Sequence, residues 1–138
     1  MPFATAASFQ QFALAGNARF TPRSKRTQTR FTFRVRQPGE GKPWFVSLLT
    51  GQDNENDYSF FGTIFPDGSF RLSRKSKISA LAPSVAGFEW FWSHVRAQRL
   101  PPQVEVHHEG RCGRCGRALT VPESIESGFG PECIHHVR

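Results

Sequence analysis

All three cysteines and four of the five histidines of this chain fall between His107 and His136. Cys112-Gly113-Arg114-Cys115 sets two thiolates two residues apart around a tight turn, and Cys133 follows after seventeen intervening residues. Thiolates and imidazoles gathered this closely are the donor set of a tetrahedral zinc site. Gly113 and Gly116 suit the positive φ that such a knuckle often needs. Three cysteines supply three ligands, and two histidines compete to be the fourth. His108 stands four residues before Cys112 on a short strand, Val104-Glu105-Val106-His107-His108. His136 stands three residues after Cys133, the spacing at which one helical turn offers two donors. His107 and His135 are weaker candidates, because a side chain one position away on a strand or helix points elsewhere.

The seventeen residues between Cys115 and Cys133 leave room for a short helix. Thr120 with Glu123 three residues on reads as a capping box, Pro122 falls in the first turn, and Gly128 ends the helix. Gly130-Pro131 then turns the chain and presents Cys133 near the start of another helical turn. Competing thiol chemistries fit less well. A disulfide leaves one of three cysteines unpaired, and a redox Cys-x-x-Cys belongs at a helix N-terminus in a βαβ setting that this sequence lacks. A fully protein-ligated zinc has no open position for water, so the site reads as structural. Pro131-Glu132-Cys133 is superficially like a zinc-deaminase signature, but the required Pro-Cys-x-x-Cys is absent, and His107-His108-Glu109 directly precedes the Cys-x-x-Cys.

The run His108-x-x-x-Cys112-Gly-Arg-Cys115-Gly-Arg-x-Leu-Thr-x-Pro-Glu-Ser-Ile-x-x-Gly-x-Gly-Pro-x-Cys133 resembles a family of small zinc-finger-like domains of unassigned function, frequent in phage and bacterial proteins. The segments around Asn17-Ala18-Arg19-Phe20-Thr21 and Leu49-Thr50-Gly51 are more loosely similar to the N-terminal part of longer members. The resemblance implies that His108, Cys112, Cys115 and Cys133 hold a structural Zn2+, and that the setting is a phage or mobile element. It implies no reaction.

The elements that must position this site read as α+β. Residues 5–15 form a short amphipathic helix with Phe9, Phe12 and Ala13 on one face. Strands are expected near 18–22, 29–37, 44–50, 57–65 and 69–74. In Arg30-Phe31-Thr32-Phe33-Arg34-Val35-Arg36 the apolar residues alternate with outward polar ones. Trp44 to Leu49 is nearly apolar throughout, as in a central strand covered on both faces. Pro66-Asp67-Gly68 signals a hairpin turn, and the short connections argue for an antiparallel meander of about five strands. Residues 84–99 read as the main helix, capped by Ser84, with Phe88, Phe91, Trp92 and Val95 as its buried stripe and Pro101-Pro102 as its stop. Its His94 falls beside that stripe, as a packing or surface residue. This organisation divides the chain into a basic α+β domain over 1–103 and a zinc-binding module over 104–138.

The net charge is +7, and 14 Phe and 3 Trp provide a large aromatic core, which excludes a disordered tail. A strongly basic balance points to nucleic acid or another polyanion. No acidic residue precedes Glu40, whereas Arg19, Arg23, Lys25, Arg26, Arg30, Arg34 and Arg36 are concentrated there. Arg71, Arg74, Lys75 and Lys77 form a second cluster, and Arg111, Arg114 and Arg117 lie on the knuckle. The first two clusters should come together on an antiparallel sheet, as a basic stripe with interleaved aromatics that tracks a phosphate backbone. Phe31, Phe33, Phe60, Phe61, Phe65 and Phe70 read as mostly core, with only one or two of them exposed. Residues 21–27 read as an exposed, phosphate-contacting hairpin loop. The acidic loop from Gly51 to Asp57 lacks the glycine and glutamate positions of a calcium loop and reads as a solvated turn.

Cysteine usage suits a reducing cytoplasm, and no apolar run is long enough to span a bilayer. The sequence therefore points to a zinc-stabilised, non-enzymatic nucleic-acid-binding accessory protein, single-stranded or duplex, with weak sequence preference. A protein-binding inhibitor of a host defence complex is the alternative. An enzyme is the least supported class, because no nucleophile–base pair, paired carboxylates or phosphate loop is present.

Overall fold

Alternating apolar residues in the first half of the chain generate one antiparallel sheet, and the helices cover only one of its faces. The computed structural model describes residues 2–137. In chain order the elements are α1 (Ala6–Ala13), β1 (Asn17–Ser24), β2 (Phe33–Arg36), β3 (Trp44–Leu49), β4 (Tyr58–Ile64), β5 (Phe70–Leu72), α2 (Pro83–Arg96), β6 (Val104–His108) and α3 (Pro122–Ser127). A 3-10 turn at Cys133–His135 follows. The six strands form an open α+β sheet in the order β5-β4-β3-β2-β1-β6, every pair antiparallel. Five strands are a meander, as the short turns require. The sixth, where the sequence suggests a second module begins, returns from α2 and pairs along β1. No helix among the described residues is long and apolar enough to cross a membrane.

The covered face is built from the residues that alternate inward. Ala18, Phe20, Phe33, Val35, Val46, Phe61, Ile64 and Val106 are all at most 2 % exposed. Onto them pack Phe9 and Phe12 of α1 and the stripe Phe88, Phe91, Trp92 and Val95 of α2. Phe88 is the hub. Its ring lies 4.8 Å from those of Phe33 and Phe70 and stacks against Trp92 at 6.0 Å. Each fully buried side chain of this size contributes about 1.5–3 kcal/mol by leaving water. The buried indole of Trp92 is satisfied by donating to the Gly68 carbonyl at 2.8 Å.

A register shift between Val46 and Ser47 inserts one extra residue in β4. Phe60 stays opposite Ser47 on the uncovered face, while Phe61 and Gly62 both fall on the covered one. Two successive inward positions are tolerated because the second has no side chain: a Cβ at Gly62 would lie 2.3 Å from the Phe70 ring.

Several local expectations are corrected. Helix α1 is capped by Thr5, whose hydroxyl accepts the Ser8 N–H at 3.1 Å. The N-cap of α2 is Ala82 rather than Ser84, because Pro83 with its preset φ takes the first helical position and Ser84 is buried. Val121 likewise replaces Thr120 at the start of α3, and no side chain caps it. Strand β1 runs on to Ser24, so only residues 25–29 form the turn, with Gln28 at φ 62°. Strand β3 is not covered on both faces: Phe45 is 40 % exposed.

Candidate metal centre and open sheet face

The knuckle is held by its own backbone and by α1. The Cys112 N–H donates to the Arg117 carbonyl at 2.8 Å, and the Gly116 N–H returns to the Cys112 carbonyl at 2.9 Å, with Gly116 at φ 81°. Gly113 serves a different need from the expected positive φ. A Cβ there would lie 2.5 Å from the Phe12 ring, so the missing side chain lets the knuckle sit directly on α1. Gly128, which ends α3 in the left-handed region as expected, also presses on Phe12, and its carbonyl accepts the Gly113 N–H at 2.9 Å. Phe129 then enters the core beside Phe12.

These contacts bring Cys133 back to the knuckle. The sulfurs of Cys112, Cys115 and Cys133 all lie within 4.8 Å of one another, and all three are free cysteines. Thiolates around one zinc at about 2.3 Å stand about 3.8 Å apart, so the cluster fits a metal ion of that kind with small adjustments. Cys112 and Cys133 are buried, and Cys115 is exposed. Burial opposes ionisation of Cys112, but the N–H groups of Cys115, Gly130 and Arg114 outweigh it and bring its pKa down to about 7. Burial raises Cys133 in spite of the Arg114 guanidinium, which donates to its sulfur at 3.4 Å. Amides and a guanidinium directed at sulfur are what a thiolate cluster requires.

His108 is not brought to the cysteines. It ends β6 on the covered face, in contact with Phe3 and Phe12. Its Nδ1 accepts the Gly110 N–H at 2.9 Å, so the proton sits on Nε2, which donates to the Ile125 carbonyl in α3. Both ring nitrogens are thus engaged in tying β6 to α3. Nor does His136 join the cluster. It is exposed, and its backbone N–H closes the 3-10 turn on the Cys133 carbonyl at 2.9 Å. Strand geometry explains the difference: His108 faces the core beside Phe20, its register partner.

The second feature is the face of the sheet that no helix covers. Cross-strand rows place Arg36, Phe45, Thr63 and Arg71 side by side, and next to them Arg19, Arg34, Ser47 and Phe60. Arg23 lies on the same face of β1. Arg30 is exposed and bridges to it, Lys25 and Arg26 are exposed in the following turn, and Arg74 and Lys75 in the loop after β5.

Acidic residues divide this face. At the β1–β6 end, Arg23 pairs with Glu105 at 2.8 Å and Lys25 approaches the same carboxylate at 4.0 Å. Glu55 pairs with Arg19 at 3.5 Å and with Arg111. The loop bearing Glu55 is braced internally, the Asp53 carboxylate accepting the Glu55 N–H at 2.9 Å. Tyr58 donates to Asn54, and burial pushes its pKa up to about 12.

At the other end, neither Arg34 nor Arg36 forms an ion pair among the described residues. Partial burial, then Arg36 and Arg19 nearby, lower the Arg34 pKa. A guanidinium stays charged regardless, so the result is a crowded positive cluster. Its guanidinium stacks over Tyr58, 4.7 Å from the ring centroid. Phe45 and Phe60 complete the face, their rings 5.8 Å apart and at 81°.

Alternation along the strands puts the arginines on this face, but the apolar run of β3 does not mark Phe45 as a surface group. The available signal was Ser47: a polar residue between Val46 and Leu48 marks the face on which Phe45 must also lie.

Residues 104–138, about a quarter of the chain, match a family of unknown function (DUF6011). Neither a curated protein nor a solved structure matches the chain.

Proposed function

We propose that this chain is a zinc-stabilised, non-enzymatic nucleic-acid-binding protein that engages its ligand through the uncovered face of the sheet. The observation that carries this reading is the placement of Arg34 and Arg36, neither in an ion pair among the described residues, beside exposed Phe45 and half-buried Phe60 on one face. Guanidinium groups hold phosphates and aromatic rings take bases. Cys112, Cys115 and Cys133 hold the metal, and a thiolate-rich donor set suits a structural zinc. His108 positions α3 rather than ligating. The free cysteines fit a reducing cytoplasm, and the motif resemblance over residues 108–133 is what makes an accessory role in a phage or mobile element part of this reading.

The test is fluorescence anisotropy of metal-loaded protein with labelled oligonucleotides. Binding should weaken about 10- to 100-fold between about 50 and 200 mM salt, as release of counterions from three or four phosphates requires. Absence of binding at the lower salt overturns the reading and leaves docking of the basic face on an acidic protein, as an inhibitor of a host defence complex would do.

A further inference from the structure

The aromatic pair on the open face, Phe45 exposed and Phe60 half-buried, specifies more than a basic patch would. Phe45 and Phe60 stand perpendicular, so together they form a corner instead of a flat plate. Ser47, small and buried, floors the space between them and Arg34, and Arg36 lies directly across from Phe45. The resulting cleft, lined also by Pro38 and open to solvent, has a volume of about 460 Å3, within the range of about 300–1,000 Å3 typical of small-ligand sites. Its lining is two aromatic rings and two guanidinium groups without acidic partners among the described residues. Tyr58 is not part of this corner: its ring already carries Arg34 and its hydroxyl is bonded to Asn54.

We infer that a single-stranded nucleic acid crosses β2, β3 and β4 with one unstacked base set against Phe45 and Phe60 and its flanking phosphates on Arg34 and Arg36. The inference rests on the nucleic-acid reading above and narrows it. In a duplex the base faces are buried in the stack, so a ring on a sheet surface reaches only an unpaired base. Charge complementarity selects the same occupant and sets its limits. Glu55, Glu105 and Glu109 stand at the β1–β6 end of the face, where they already satisfy Arg19, Arg23 and Thr21. A phosphate chain is repelled there and is confined to the half of the face that holds the cleft.

The test measures affinities of the full metal-loaded chain for a single-stranded oligonucleotide and for the matching duplex, in wild type, Phe45→Ala, Phe60→Ala, Phe45→Leu and Arg34→Gln/Arg36→Gln. Thermal melts confirm that each variant is folded. Either Phe→Ala change should weaken single-strand binding by about 5- to 100-fold while leaving the salt slope and any duplex binding unchanged. Phe45→Leu keeps the apolar bulk and should not restore affinity. The double arginine change should instead reduce the salt slope by about 0.7 per phosphate lost. A 2-aminopurine base in the oligonucleotide should be quenched on binding wild type and not on binding Phe45→Ala. If the aromatic variants bind the single strand as tightly as wild type while the arginine variant fails, base stacking is refuted and only the broader reading stands. If no oligonucleotide binds, both fall.

Discussion

The two faces of the sheet are made from the same strands and end in opposite roles. On the covered face, Phe33, Phe61 and Phe88 are buried and hold each other through ring contacts. On the uncovered face, Phe45 and Phe60 touch each other and look out over arginines. Residue type does not separate the faces, since both use phenylalanine. What separates them is the partner across the strand, an apolar residue on one side and Arg34, Arg36 or Ser47 on the other. The cysteine cluster belongs with the covered face, because its glycines press on Phe12 of α1.

The comparison can be broken most severely at the cysteines. Chelation or Cys133→Ser should release the segment beyond His108 from the covered face, because metal binding to such a site is worth on the order of 10 kcal/mol. Hydrogen exchange and limited proteolysis should show protection lost there while β2 to β4 keep theirs. Unchanged protection would mean that packing on Phe12 suffices without metal.

A matched pair of phenylalanine changes tests the faces directly. Phe88→Ala should cost about 3–5 kcal/mol in denaturant unfolding, as a large side chain is removed from a filled core. Phe45→Ala should cost no more than about 1 kcal/mol, because the side chain is 40 % exposed and loses mainly its contact with Phe60. Equal costs would show that the outer face is structural too.

His108→Ala should cost about 1–3 kcal/mol, because it leaves the Gly110 N–H and the Ile125 carbonyl without their partner. Metal content per chain should be unchanged, and its loss would return His108 to the coordination shell.

The smallest effect is expected at the ion-paired end of the open face. Hydrogen bonds from Arg23 and then His107 hold Glu105 below the usual carboxylate range. A carboxylate with a depressed folded pKa contributes stability above its unfolded value and loses it as pH falls through the folded one. Glu105→Gln should therefore lower the melting midpoint slightly near neutral pH and match wild type in strong acid. A difference that persists in acid would have a cause other than charge.

How far the sequence could be read follows the same division. The covered face is written in regular alternation, so β2, the α2 stripe and the α1 stripe are readable from spacing alone. The cysteine convergence is readable as well, because Cys-x-x-Cys and the turn residues around Cys133 act locally. The fourth metal donor is not, since whether His108 faces the knuckle or the core depends on the pairing of β6 with β1, a contact between distant segments. The exposure of Phe45 is hidden for a related reason. An apolar run such as Trp44–Leu49 looks the same whether its second face is covered by a helix or left open, and that depends on where α1 and α2 dock. The bulge at Phe61 likewise arises from packing against Phe70 and leaves no periodic trace.

The most direct measurement is the salt dependence of oligonucleotide binding by wild type and by Arg34→Gln/Arg36→Gln, both metal-loaded and confirmed as folded by melting. If the open face is the binding surface, the variant should melt as wild type does, bind more weakly and show a shallower slope of affinity against salt. Equal affinity and equal slope for the two proteins would contradict that placement.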